Sequence, residues 1–302
     1  MNVTVTGASG FIGRSLTRKL LETGCSVHVL GRKRYDGLPA AVHFSEWNPT
    51  ETEPPAASLA SADAVVHLAG EPVSQRWTAS AKKRIHASRV ESTHRLVSAL
   101  AAQSERPRVL VCASAVGYYG SRGDEILTEA SSPGSDFLAQ LVMDWEDAAQ
   151  SAEALGIRVV RLRFGMVLGR QGGALDKLLP VFRFGLGARL GSGEQWMAWI
   201  HVDDAVNLIV FAINFSAVRG AVNASSPHPV TNDEFTSRLA TALHRPAILR
   251  APAFALRLML GEMSEMLLAS QRVLPSAAKS AGFPFQYPDL NAALDEILAK
   301  DE

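Results

Sequence analysis

Apolar positions along the chain fall into two alternating rhythms. Short β-branched runs, "VTVT", "SVHVL", "ADAVVHLAG", "RVLVCAS" and "IRVVRLRFG", recur through the first 165 residues. Longer stretches with a helical period separate them. In "FIGRSLTRKLLETG" the apolar residues Ile12, Leu16, Leu20 and Leu21 share one helical face, and Gly24 marks a stop. "TASAKKRIHASRVESTHRLVSALAAQ" reads as a second, longer helix. The β runs are almost continuously apolar, as strands covered on both faces must be. The pattern therefore predicts an α/β fold, a doubly wound parallel sheet with helices on both sides. Beyond residue 165 the rhythm loosens into Gly-rich turns, a strand and helix in "WIHVDDAVNLIVFAI", and a helical tail. We expect residues 1–165 to form the nucleotide-binding domain, which also receives about 198–224. Residues 166–197 and 225–302 are expected to form a smaller, mostly helical C-terminal lobe.

Composition narrows this picture. With 302 residues and 47% hydrophobic content, the chain can bury a large core. Thirty basic residues balance thirty acidic ones, so no global field draws the chain to nucleic acid or membrane, and any anion site must be local. Neither partner is expected. Cys25 and Cys112 lie in apolar runs without CxxC or His-rich neighbours, which reads as two buried free thiols and no metal site. No signal segment and no membrane-length apolar run is evident, and the expected location is cytoplasmic.

The candidate chemistry starts in "VTVTGASGFIGRSL", where Gly7, Gly10 and Gly13 stand between the first strand and the first helix. Gly7 suits a tight turn, Gly10 lets backbone amides approach a pyrophosphate, and Gly13 lets the helix pack closely on the sheet. Together with Phe11 and Ile12 they are the expected pyrophosphate cradle. After the second strand, where NAD-specific proteins carry an acid for the ribose hydroxyl, the chain reads "VLGRKR". Arg32 and Lys33 there suit the 2′-phosphate of NADP(H). A charge-assisted contact worth about 1.5–3 kcal/mol gives roughly tenfold to hundredfold selectivity for NADP over NAD. Leu68, Ala69 and Gly70, closing the third run, would line the cofactor bed.

These residues, with "SAVGYYG", "GEPVSQRW", "GGALDKLLP", "GSGEQWMAWIHVDD" and "GFPFQYP", resemble the extended or atypical short-chain dehydrogenase/reductase group, specifically its epimerase family branch. The resemblance covers nearly the whole chain. It implies a Rossmann domain, an NADP(H) cofactor and a small-molecule substrate of unknown identity, with a homodimer through two long helices by analogy. It also implies a catalytic Ser, Tyr and Lys. Ser114 in "CASAVGYYG" matches the Ser that orients the reacting oxygen. The Tyr and Lys do not follow: in "GSDFLAQLVMDWE" the register nearest to YxxxK holds Phe137 and Leu141, and the neighbouring one Asp136 and Gln140. Phe137, Leu138, Leu141, Val142 and Trp145 instead share one side of a helix, which suits a core or dimer face.

Replacements for the missing acid-base pair are Tyr118 or Tyr119, which follow Ser114 on its loop, and Glu71, whose carboxyl a dry cofactor pocket would raise in pKa. Arg89 and Arg163 are candidate anion contacts. His201 and Asp203 look like the family's structural strand-to-helix junction. Where family members that handle sugar nucleotides place an Arg against the diphosphate, this chain has Met197 and Ala198. Three readings follow: an NADP(H)-dependent oxidoreductase or epimerase-like enzyme, an NADPH-binding sensor without turnover, and, disfavoured by Met197 and Ala198, a sugar-nucleotide epimerase. Thr231 and Glu234 form a capping-box pattern, and the Met-rich "FALRLMLGEMSEMLLASQRVLP" reads first as core packing, with a pocket wall or partner groove as the alternatives.

Overall fold

A computed structural model describes residues 1–170 and 172–299. Seven strands form the central sheet: β1 Asn2–Thr6, β2 Ser26–Gly31, β3 His43–Glu46, β4 Ala64–His67, β5 Val109–Ala115, β6 Arg158–Phe164 and β7 Gly220–Ala224. Their order is β3-β2-β1-β4-β5-β6-β7, and every pairing is parallel. Around it lie helices α1 Phe11–Glu22, α2 Ala79–Ala87, α3 Val90–Ala101, α4 Phe137–Gln150, α5 Gly173–Arg183, α6 Val202–Asn214, α7 Asn232–Ala242 and α8 Ala253–Leu260.

The apolar alternation explains the two layers. Val3, Val5, Val66 and Val111 face one side of the sheet and pack with Leu16 and Leu20 of α1 and Ile209 of α6. Val65 and Leu110 face the other, against Leu96 and Leu100 of α3 and Trp145 of α4. Gly24, at φ +75, ends α1 by letting the Cys25 amide reach back to Leu20 O at 2.9 Å. A separate cluster holds the C-terminal lobe together, with Leu175, Phe182, Trp199, Phe235 and Leu294 at its centre.

Four features depart from the sequence pattern. Edge strand β3 is only half covered, so its periodicity is too weak to read. The long second helix is two, α2 and α3, broken at Ser88–Arg89, where Arg89 turns inward. Cys112 is buried, whereas Cys25 is half-buried. In the Met-rich segment, Met263 and Met266 do pack against the core, but α8 buries none of its residues. Among the described residues no helix is long and apolar enough to cross a membrane.

Candidate functional site

Strand order reverses between β1 and β4, so the chain leaves these neighbours in opposite directions and opens a crevice beyond their carboxyl ends. The glycine turn lies there. Gly7 has φ +71, and a Cβ on it would stand 2.6 Å from Leu68 C, so the turn presses against the end of β4. A Cβ on Gly13 would meet Gly7 O at 2.3 Å, which no side chain permits. Gly10 precedes α1 and supplies no side-chain cap, leaving the first-turn amides of Phe11 and Ile12 without a side-chain acceptor. Such amides, reinforced by the helix dipole, suit a phosphate. The Phe11 ring turns away from this position, into a notch where Cβ atoms on Gly169 and Gly173 would stand 2.6 and 2.9 Å from it.

Sequence reasoning missed the support under the turn. Thr6 Oγ1 accepts from the amides of Leu68 and Ala69, both at 3.2 Å, and so donates its own proton to His67 Nδ1 at 2.7 Å. The Nε2–H of His67 then points at Ser92 Oγ, 3.4 Å away. Burial pushes the His67 pKa down to about 4, which keeps the ring neutral and this chain of donors in one sense. Gly70 lies over a half-buried cation: its Cβ would stand 3.2 Å from Arg89 Cζ. Burial lowers the Arg89 pKa to about 10, still far above neutrality. Its guanidinium rests on the Trp145 ring at 5.3 Å and donates to Ile85 O at 3.3 Å. Arg32 and Lys33 stand exposed directly after β2.

A crevice of about 510 Å³ runs along the outer face of α1 between Arg14, Tyr35, His201 and Glu296. It adjoins the turn at Phe11.

At the ends of β5 and β6 the picture is different. Ser114 is 3% exposed and donates to Glu146 Oε1 at 2.5 Å. Arg163 grips the same carboxylate through Nε at 2.7 Å and Nη2 at 2.8 Å, and donates from Nη1 to Tyr119 Oη at 2.9 Å. Tyr119 in turn donates to Asn223 Oδ1 at 2.7 Å. A buried carboxylate and guanidinium thus neutralise one another with their hydrogen bonds filled. Tyr118 lays its ring on Arg163, 3.4 Å from Cζ to centroid, and borders a crevice of about 460 Å³ with Glu146 and Arg161.

The structure corrects several expectations here. Ser114 has given its only proton to Glu146 and keeps acceptor capacity alone. Arg163 is consumed by Glu146 and is no anion contact. Glu71 has a lowered pKa, because Gln75 Nε2 donates to its carboxylate at 2.9 Å and Arg84 adds a charged donor, outweighing partial burial. It is therefore no poised acid. Leu138 lies against the loop after β5, within 3.3 Å of a Cβ built on Gly117, while Leu141, Val142 and Trp145 are buried within the chain. The helical face thus packs the protein's own core.

The junction after the Trp199–His201 strand is structural, as expected, but through a different acid. His201 Nδ1 caps α6 by accepting from the Asp203 amide at 3.1 Å, and its ring lies 4.1 Å from that of Tyr287. Asp204 rather than Asp203 is buried, accepting from the amides of Gln286 and Tyr287 at 2.8 and 2.9 Å. This links "HVDD" to "GFPFQYP". Lys177 of α5 donates to Ser74 Oγ at 2.8 Å, so the C-terminal lobe also touches the loop after β4.

Residues 3–224 match the model of the NAD dependent epimerase/dehydratase family, and residues 251–297 that of a domain of unknown function, DUF1731. The epimerase family protein SDR39U1 homolog, chloroplastic, of Arabidopsis thaliana is 40% identical, over 99% of this chain and 87% of its own. The crystal structure of human epimerase family protein SDR39U1 (isoform 2) with NADPH superposes with a TM-score of 0.89 at 34% identity, covering 99% of both chains. That of the nucleoside-diphosphate sugar epimerase from Corynebacterium glutamicum gives 0.81 at 35% identity, over 99% of this chain and 58% of that one.

Proposed function

Because the chain belongs to the NAD dependent epimerase/dehydratase family, we propose that it binds NADP(H) in the β1/β4 crevice and acts as an oxidoreductase or epimerase-like enzyme on a small molecule. Residues 1–165 with about 198–224 form the cofactor unit, and 166–197 with 225–302 the lobe that encloses the substrate. Gly7, Gly10 and Gly13, with the amides of Phe11 and Ile12, receive the pyrophosphate. Arg32 and Lys33 receive the 2′-phosphate, and Leu68, Ala69 and Gly70 lie beneath the nucleotide. The bound cofactor supplies or accepts hydride. The observation that carries this reading is the glycine cradle, whose Gly7 and Gly13 leave no room for a Cβ.

The proton chemistry falls to few groups. Ser114 orients a substrate hydroxyl by accepting its hydrogen bond, since its own proton is committed to Glu146. Tyr119 is likewise committed, to Asn223. Tyr118, whose ring is held against Arg163, is the phenol left to exchange a proton with substrate. The test is NADPH oxidation over a panel of carbonyl compounds: turnover that falls at least about a hundredfold in Tyr118→Phe, the usual weight of general acid-base help, supports the assignment, and unchanged turnover rejects it.

The second reading, an NADPH-binding sensor without turnover, draws on the same Ser114–Glu146 bond. It is favoured if NADPH raises the melting temperature while no carbonyl compound is consumed. A sugar-nucleotide epimerase is disfavoured: the Trp196–Met197 strand supplies no cation for a diphosphate, and Ala198 is buried against Gly165.

A further inference from the structure

The zero net charge conceals a strong local imbalance. Between Asp176 and Glu194, and again between Glu234 and Glu262, the chain carries seven lysines and arginines and no acid; Arg189 pairs with Asp233, and Arg238 with Glu234 and Asp289, so Arg250 and Arg257 carry the surplus beside α8. The fold brings these two stretches together. Strands Ala188–Leu190 and Leu249–Ala251 pair in parallel, and Arg245 Nε donates to Arg183 O at 2.8 Å. Helix α8 follows directly.

The same two stretches hold eight of the eleven exposed large hydrophobic side chains among the described residues. Phe184, Ile248, Phe254, Leu258 and Met259 stand 73–86% exposed. Arg250 and Arg257, exposed among them, form no salt bridge with the described residues. Apolar side chains gathered in this way on a protein surface mark a docking site.

We propose that this face, centred on α8 and the Leu249–Ala251 strand, docks the protein onto an anionic lipid bilayer without crossing it. Self-association through the face is opposed by charge, because a twofold contact sets the same arginine-rich patch against itself. A partner protein would have to offer an acidic groove matched in shape to these side chains, whereas a fluid interface needs no matched shape. A bilayer interface accepts protruding Phe, Leu and Met to a depth of about 5–10 Å while arginines stay at the headgroups. The inference rests on surface composition alone and stands or falls apart from the NADP(H) reading.

The experiment is co-sedimentation of the full chain with vesicles of phosphatidylcholine alone or with about one third phosphatidylglycerol. Anionic vesicles should bind at least about tenfold more protein, as several arginines near a charged surface imply. Phe254→Asp combined with Leu258→Asp should abolish that binding, and Arg250→Glu combined with Arg257→Glu should reduce it to the phosphatidylcholine level. All four positions are exposed, and circular dichroism checks that the variants are folded. Absence of binding, equal binding to both vesicles, or indifference to the Asp variants overturns the proposal. So does a dimer in lipid-free sedimentation that Leu258→Asp dissolves, which assigns the face to a second copy. Binding of soluble polyglutamate as tight as that of anionic vesicles, and equally dependent on Phe254 and Leu258, overturns it in favour of an acidic protein.

Discussion

The two ends of the sheet treat their polar groups in opposite ways. Beyond β1 and β4, side chains satisfy one another beneath the glycine turn, through Thr6, His67 and Ser92, and the first-turn amides of α1 are left to face outward. Beyond β5 and β6, the side chains that could touch a substrate bond to each other instead, from Ser114 through Glu146 and Arg163 to Tyr119 and Asn223. One end keeps donors in reserve; the other, Tyr118 apart, has spent them on the fold. Substitutions at the first should therefore change cofactor affinity, and those at the second stability.

The largest effect is expected at the second end. Glu146→Ala strands the buried Arg163 cation and should cost about 3–5 kcal/mol in denaturant unfolding, with NADPH affinity of the folded protein unchanged. A loss within the range of a surface pair would contradict the closed network. His67 gives the next. Its pKa is about 4 when folded, against 6.5 when exposed, so its contribution is complete above pH 6.5. As pH falls from 6.5 towards 4 the unfolded chain takes up a proton that the folded one refuses, removing about 3 kcal/mol. Unfolding curves across that window should lose this limb in His67→Asn; an unaltered profile would refute the neutral ring. Gly13→Ala forces a methyl onto Gly7 O and should cost about 1–3 kcal/mol while abolishing the rise in melting temperature with NADPH. A stable variant that still responds would show that the turn is not the cradle.

The first end was legible in the sequence because its requirements are local. A turn without room for Cβ demands glycine, and three glycines between a strand and a helix announce it. The position of Arg32 and Lys33 is local as well, since they follow β2 directly. The second end depends on distant partners: Ser114 and Glu146 are 32 residues apart, and nothing near Ser114 signals that its proton is taken. One signal was available. "IRVVRLRFG" sets Arg161 and Arg163, after Arg158 at its start, inside an otherwise apolar strand, and a buried guanidinium requires a carboxylate somewhere in the fold. The break between α2 and α3 has no local cause either, because the helical period runs through it while Arg89 is drawn in beneath Gly70. Exposed α8 misled the reading for a related reason: apolar composition alone does not distinguish a core helix from one the fold leaves exposed.

The most direct test of the central claim is a calorimetric titration of NADPH and NADH into the wild-type protein and Arg32→Asp. NADPH should bind tighter than NADH by about tenfold to a hundredfold in the wild type, and Arg32→Asp should largely erase the preference. Equal affinities for the two dinucleotides in the wild type, or a preference that survives the substitution, would contradict that claim.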